Sequence, residues 1–212
     1  MKKFKALLVV ACALLLVAAS VFGTMAYLTS TDTVTNTFTV GKVKITLDEA
    51  KVDQNGTAVT PAERVKTNNY KLLPGHTYTK DPTVTVKKDS EPSYVKMTVT
   101  FSKANELDAI FAPNGADLTS IFNGYDASNW SAKGNTKDTT ANTRTYEFWY
   151  KEAVGAPEGN VALDALFDSI TVPGTITGDQ LKTIEGMTIT VKAYAIQADG
   201  FDDATAAWAA FN

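Results

Sequence analysis

YVKMTVTF, residues 94–101, alternates strictly: Val95, Met97, Val99 and Phe101 occupy one phase, and Lys96, Thr98 and Thr100 the other. A period of two puts the first set on one face of a strand and the second on the opposite face, so the stretch reads as a β-strand with one buried side. The same period returns in TYEFWY (145–150), where Tyr146, Phe148 and Tyr150 share a phase, and in MTITVKAYAIQ (187–197), where Met187, Ile189, Val191 and Ala193 do. Val84 and Val86 in PTVTVKK (82–88) give a shorter run. Breakers stand between these runs: LPGHTY (73–78), KKDSEPS (87–93) and VPGTITG (172–178).

No long helical pattern separates the strands, which argues against a doubly wound parallel sheet. The expected fold is all-β, an antiparallel β-sandwich with Val95, Met97, Val99, Phe101, Phe148, Ile189 and Val191 in its core. Short helices are expected at 105–111 and 179–184. A C-terminal one is expected in DDATAAWAAF (202–211), with Asp202 as its cap and Ala204, Trp208 and Phe211 on one face. The Ser-, Asn-, Thr-, Gly- and Lys-rich stretch 127–143 reads as a polar surface loop or insertion.

With 212 residues and 44% hydrophobic content, the chain is expected to form one principal domain with a sizeable core. Its front differs in kind. Lys2, Lys3 and Lys5 precede the apolar run 6–22, and GTMA follows with small residues at Thr24 and Ala26. These are the three parts of a secretory signal, with cleavage expected between Ala26 and Tyr27. The rival is a retained signal anchor, since an apolar run of this length is near the lower limit for crossing a bilayer. Lipidation at Cys12 fits poorly, because Leu14, Leu15, Leu16 and Val17 continue the apolar run beyond it.

Cys12 is the only cysteine, so the processed chain would have no disulfide. Removal of Lys2, Lys3 and Lys5 takes the formal net charge from -3 to -6. An acidic chain without clustered Lys and Arg is not expected to bind nucleic acid. Behind the signal, Phe38 and Val40 lie on one phase and Val43, Ile45 and Leu47 on the other, with the shift at Gly41-Lys42. A strand changes faces only through a bulge or a break, and glycine accommodates either at least cost. The expected organisation is a signal peptide at 1–26, a separate β-competent segment at 27–40, Gly41 as hinge, and a sandwich domain at 41–212.

Signs of catalysis are sparse. His76 is the single histidine, and neither HExxH nor GxSxG is present, so zinc-protease and serine-hydrolase chemistries lack their usual residues. No cofactor is expected. Asp199, Asp202 and Asp203 could offer oxygen ligands to Ca²⁺ but lack the twelve-residue loop pattern, and a turn with a helix cap accounts for them more simply. Trp130, Trp149 and Trp208 sit in unrelated segments and read as core or interface anchors.

Three stretches together resemble the TasA/camelysin group of exported proteins of Gram-positive bacteria: GTMAYLTSTDTVTNTFTVGKVKITLDE (23–49), KLLPGHTYTKDPTVTVKKDSEPSYVKMTVTF (71–101) and GMTITVKAYAIQADGFDDATAAWAAF (186–211). The front is the most specific part, and the resemblance spans nearly the whole chain after residue 26. It implies processing by a dedicated ER-type signal peptidase, a jelly-roll-like sandwich, and polymerisation into extracellular fibres in which the freed N-terminal segment of one subunit adds as a strand to the next. It also raises a metalloprotease alternative, since camelysin has been classed as one.

The expected function is therefore that of a secreted structural protein of the biofilm matrix or cell surface, a homo-polymer that meets the membrane only before cleavage. Leu28, Val34, Phe38 and Val40 share one phase of 27–40 and would anchor the donated strand, while threonines fill the other phase. Two alternatives stand beside it: a monomeric adhesion or binding module, and a camelysin-like metalloprotease. The segment could also pair within its own chain, because the sequence does not distinguish intra-chain from inter-chain pairing.

Overall fold

The computed structural model describes residues 41–111 and 118–211, together with Lys3. The chain divides into two units, Met1–Val40 and Gly41–Asn212. The expected signal peptide and donor segment, with Thr24, Ala26, Tyr27, Leu28, Val34, Phe38 and Val40, lie outside the described residues.

Within Gly41–Asn212 the chain runs first through β1 (Ile45–Ala50), β2 (Arg64–Val65), β3 (Thr77–Thr79), β4 (Thr83–Val86) and β5 (Ser90–Ser102). Helix α1 (Ala104–Phe111), a 3₁₀ turn (Leu118–Ile121) and β6 (Phe122–Asn123) lead to β7 (Trp130–Asp138), β8 (Thr143–Tyr150), β9 (Val154–Ala156), β10 (Val161–Ala162) and β11 (Ser169–Thr171). Helix α2 (Gly178–Thr183), β12 (Ile189–Gln197) and helix α3 (Ala204–Ala210) complete it. The strands pair antiparallel in three sheets, ordered β10-β4-β1-β2, β3-β11-β6 and β12-β5-β8-β7, with β9 added along the start of β5. The fold is an antiparallel β-sandwich with a few short helices.

Strand β5 is its spine. Val95, Met97, Val99 and Phe101 are all 0% exposed, and each contributes roughly 1.5–3 kcal/mol of burial. Val84 and Val86 of β4 and Leu166 and Phe167, equally buried, belong to the same core cluster. Phe122 links the layers, stacked 4.1 Å from Phe167 and 5.9 Å from Phe101. Thr100 and Thr145 join hydroxyls at 2.8 Å on the outward face, a cross-strand pair of the kind that suits a wet sheet surface.

The polar stretch 127–143, expected as a surface loop or insertion, contains β7 (Trp130–Asp138), the edge strand of this sheet. Only Trp130 of β7 is buried; the rest is exposed or half-exposed on both faces, so no apolar alternation marks it. The register shifts between Ala132 and Gly134, and Gly134 takes φ 113, a bulge geometry open to glycine. The β7–β8 hairpin also starts α1. Asn142 Oδ1 accepts the Asn105 N–H at 2.8 Å, and Asp108 receives Lys137 Nζ at 2.7 Å and Arg144 Nη2 at 2.6 Å. Burial opposes ionisation of Asp108, yet hydrogen bonds and charge from Arg144 and Lys137 hold its carboxyl below the usual range.

Helix α3 starts one residue later than expected, because Asp203 rather than Asp202 is its cap, its carboxylate accepting the Ala206 N–H at 2.8 Å. Trp208 is buried on the outward face of the β5 sheet with Lys96 Nζ 4.5 Å from its ring, whereas Phe211 stays 38% exposed.

Candidate functional site

The apolar alternation of β12 matches that of β5, and the two strands pair in register: Ile189 with Phe101, Val191 with Val99, Ala193 with Met97, Ala195 with Val95. On β5 these residues are sealed. On β12 all four are only half-buried. The core expectation for Ile189 and Val191 is thus met on the right face but not to full depth. Alongside them, among the described residues, runs a groove of about 1250 Å³ with β1 on one side and β12 on the other.

Ile45 and Leu47 of β1 form one wall, and Ile189, Val191 and Ala193 of β12 the other. Leu107, Ile170 and Ile184 lie at its base. Both strands leave a backbone edge open there. Among the described residues β12 pairs only with β5, and residues 45–48 of β1 pair only with β4. The lining of β1 extends over five consecutive residues, 45–49, which at about 3.3 Å per residue is roughly 16 Å of strand. The volume exceeds the ~300–1,000 Å³ usual for small-molecule pockets, and its form suits a short extended chain.

Residues 65–72 make a rim over the groove, with Val65, Tyr70 and Leu72 facing it. Tyr78 holds this rim: its hydroxyl donates to the Lys71 carbonyl and accepts the Leu73 N–H at 2.7 Å, while its ring meets Tyr70 edge-on at 5.6 Å. Gly56 takes φ 78 against the Tyr78 backbone, where a Cβ would come within 2.6 Å of Tyr78 Cα, so no larger residue fits. Burial, with Glu49's charge added, pushes the Tyr70 phenol well above its ordinary range.

One end of the groove is polar. Glu49 and Lys80 are 8% and 6% exposed, and Lys80 Nζ donates to Glu49 Oε2 at 2.5 Å. Asn68 Nδ2 donates to the other oxygen, Glu49 Oε1, at 3.0 Å and to the Ala50 carbonyl at 2.8 Å, while Asn68 Oδ1 accepts the Val52 N–H at 3.1 Å. A buried ion pair is costly unless its remaining lone pairs are engaged, and here Asn68 engages one. This trio was not among the expected site residues. A signal was present nonetheless, since Glu49 continues the apolar phase of Val43, Ile45 and Leu47, and Lys80 that of Tyr78.

The residues singled out by sequence fall elsewhere. His76 Nε2–H donates to the Asn55 carbonyl at 2.7 Å and its ring packs 4.8 Å from Tyr78. Asp203 caps α3, and Gln197 Nε2 donates to the Asp199 backbone carbonyl at 3.4 Å. Among the described residues no three His, Cys, Asp or Glu side chains form a group that could hold a metal. No described helix is long and apolar enough to cross a membrane. Gly41 stands at the boundary of the two units, exposed, where a Cβ would meet the Glu91 side chain at 2.8 Å. The next residue, Lys42, accepts the Glu91 N–H through its carbonyl at 2.9 Å. No protein-family model, curated protein or solved structure matches this chain.

Proposed function

We propose that the protein is an exported structural subunit of an extracellular matrix or cell surface that polymerises head to tail. Residues 27–40 of one copy add as a strand in the groove between β1 and β12 of the next. The observation that carries this reading is the half-covered core along β12: an apolar wall paired in register with a sealed strand, beside a backbone edge that no described residue pairs. An added strand would satisfy that edge with main-chain hydrogen bonds and fill the groove with alternate side chains.

The chain itself offers a segment of that chemistry. Phe38 and Val40, with Val34 and Leu28 farther back, lie on one phase, and the opposite phase is almost wholly threonine. Burying Phe38 would contribute about 2–3 kcal/mol. A head-to-tail contact of this type does not close on itself and therefore propagates into a filament. The resemblance of the front segment to the TasA/camelysin group supports the same reading, as does the secretory pattern of residues 1–26.

Electron microscopy and light scattering on the processed chain and on residues 41–212 test it. The processed chain should form filaments above a threshold concentration; residues 41–212 should remain folded monomers, and Phe38→Asp should behave like the truncation. A processed chain that stays monomeric at all concentrations would assign the segment to its own groove or the groove to another partner. Filaments from residues 41–212 alone would eliminate the segment as connector.

A further inference from the structure

The polar end of the groove brings together an amine, a carboxamide and a carboxylate that the assembly reading does not use. Glu49 bridges the other two: one oxygen holds Lys80 Nζ at 2.5 Å and the other holds Asn68 Nδ2 at 3.0 Å. Asn68's orientation is set by backbone partners, since its oxygen can only accept from the Val52 N–H and its nitrogen can only donate to the Ala50 carbonyl. Its leaving nitrogen therefore faces the carboxylate, and its carbonyl oxygen carries a backbone donor. Lys80 and Glu49 are more than nine-tenths buried and Asn68 is half-buried, with Tyr70 and Tyr78 also lining the groove.

We propose that Lys80 and Asn68 join in an intramolecular isopeptide bond, with Glu49 as the proton carrier. Glu49 takes a proton from the Lys80 ammonium, leaving a neutral amine. The amine attacks Asn68 Cγ, and a new C–N bond forms while the Val52 N–H stabilises the charge that develops on Oδ1. Glu49 passes its proton to Nδ2 and receives one from the attacking nitrogen. The Cγ–Nδ2 bond breaks, and nitrogen leaves as ammonia, which departs as ammonium with the proton Glu49 holds. Glu49 ends as it began. An amide replaces an amide, so no oxidant, reductant or co-reactant is needed, and loss of ammonia to solvent drives the reaction forward.

The bond would tie the rim, through Asn68, to the chain just past β3, through Lys80. In a domain whose described residues contain no cysteine, it supplies the covalent staple that a disulfide would otherwise provide, and it braces the rim of the groove. It does not depend on what fills the groove.

Mass spectrometry of the folded full chain decides it. The recovered species should weigh about 17 Da less than its sequence, the mass of one ammonia. Trypsin should release a branched peptide joining residues 67–71 to residues 72–87, uncut at Lys80. Lys80→Arg, which keeps the charge but not the nucleophile, should appear at its full sequence mass with linear peptides. Glu49→Gln, folded by circular dichroism, should do the same. Linear peptides 67–71 and 72–80 from the wild-type chain would overturn the proposal, even if ammonia were lost elsewhere, and a branched peptide surviving in Glu49→Gln would remove Glu49 from the chemistry.

Discussion

Strands β5 and β12 lie side by side, paired residue for residue over 93–101 and 189–197, with apolar side chains on the same face. One is sealed and the other is not. Val99 is 0% exposed, whereas its partner Val191 is half-buried beside the groove. The pairing is the same for both; what differs is the layer above. Val84 and Val86 of β4 and the 163–167 segment join β5 in the sealed cluster, whereas among the described residues β12 meets β1 across the groove and its apolar face is only partly covered. Apolar alternation thus reports which face of a strand turns inward, not whether anything covers it.

The strongest way to break this comparison is to place a charge at each position of the pair. Val99→Asp buries a carboxylate with no partner and should cost more than about 4 kcal/mol, enough to unfold the domain or block its export. Val191→Asp should cost only about 1–2 kcal/mol, because the groove lets water reach it, while abolishing assembly. Thr98→Asp, on the outward face between Lys192 and Glu147 in register, should cost less than about 1 kcal/mol. Chemical denaturation of the three variants measures all of this. Equal loss at 99 and 191 would mean that the groove is closed in solution.

A second, smaller effect sharpens the contrast. A peptide of residues 27–40 added to the 41–212 unit should protect amides of β12 from hydrogen exchange and leave β5, already sealed, unchanged. At a hundredfold excess over its Kd it should stabilise the unit by about 2.7 kcal/mol. Protection on both strands alike, or on neither, would show that β12 is not the receiving edge.

The smallest effect concerns the base of the groove. Leu107 reaches it from α1, and α1 is held to the β7–β8 hairpin through Asp108. The folded carboxyl of Asp108 titrates below the unfolded one, so its contribution is present above the unfolded value, about 3.9, and is lost as pH falls through the lower folded value. Asp108→Asn should cost about 1 kcal/mol at neutral pH and flatten the acid limb of the stability profile. An unchanged acid limb in the variant would exclude Asp108 as its source.

Much of the fold was legible in the residues. The runs 94–101, 145–150 and 187–197 each became a strand with the expected face inward, because alternation at a period of two leaves a half-buried strand little choice. The edge strand β7 was not legible, since a strand exposed on both faces has no apolar phase to show, and only its pairing with β8 and the bulge at Gly134 define it. At the groove's polar end, Glu49 and Lys80 could be noticed as charges on inward phases, but nothing in the chain order announced that Asn68 would meet them.

By itself, the sequence determined the class of the fold, the inward phase of its main strands, the change of phase at Gly41 and the segment before it whose chemistry suits strand addition. Those properties are local, set by alternation and turn chemistry over a few residues. Only the tertiary structure decided that β12 is half-covered where β5 is sealed, that β1 and β12 bound a groove, and that Lys80, Glu49 and Asn68 converge at its end. Burial and encounter depend on which distant segments pack over a face, and the backbone propensities of that face carry no record of them.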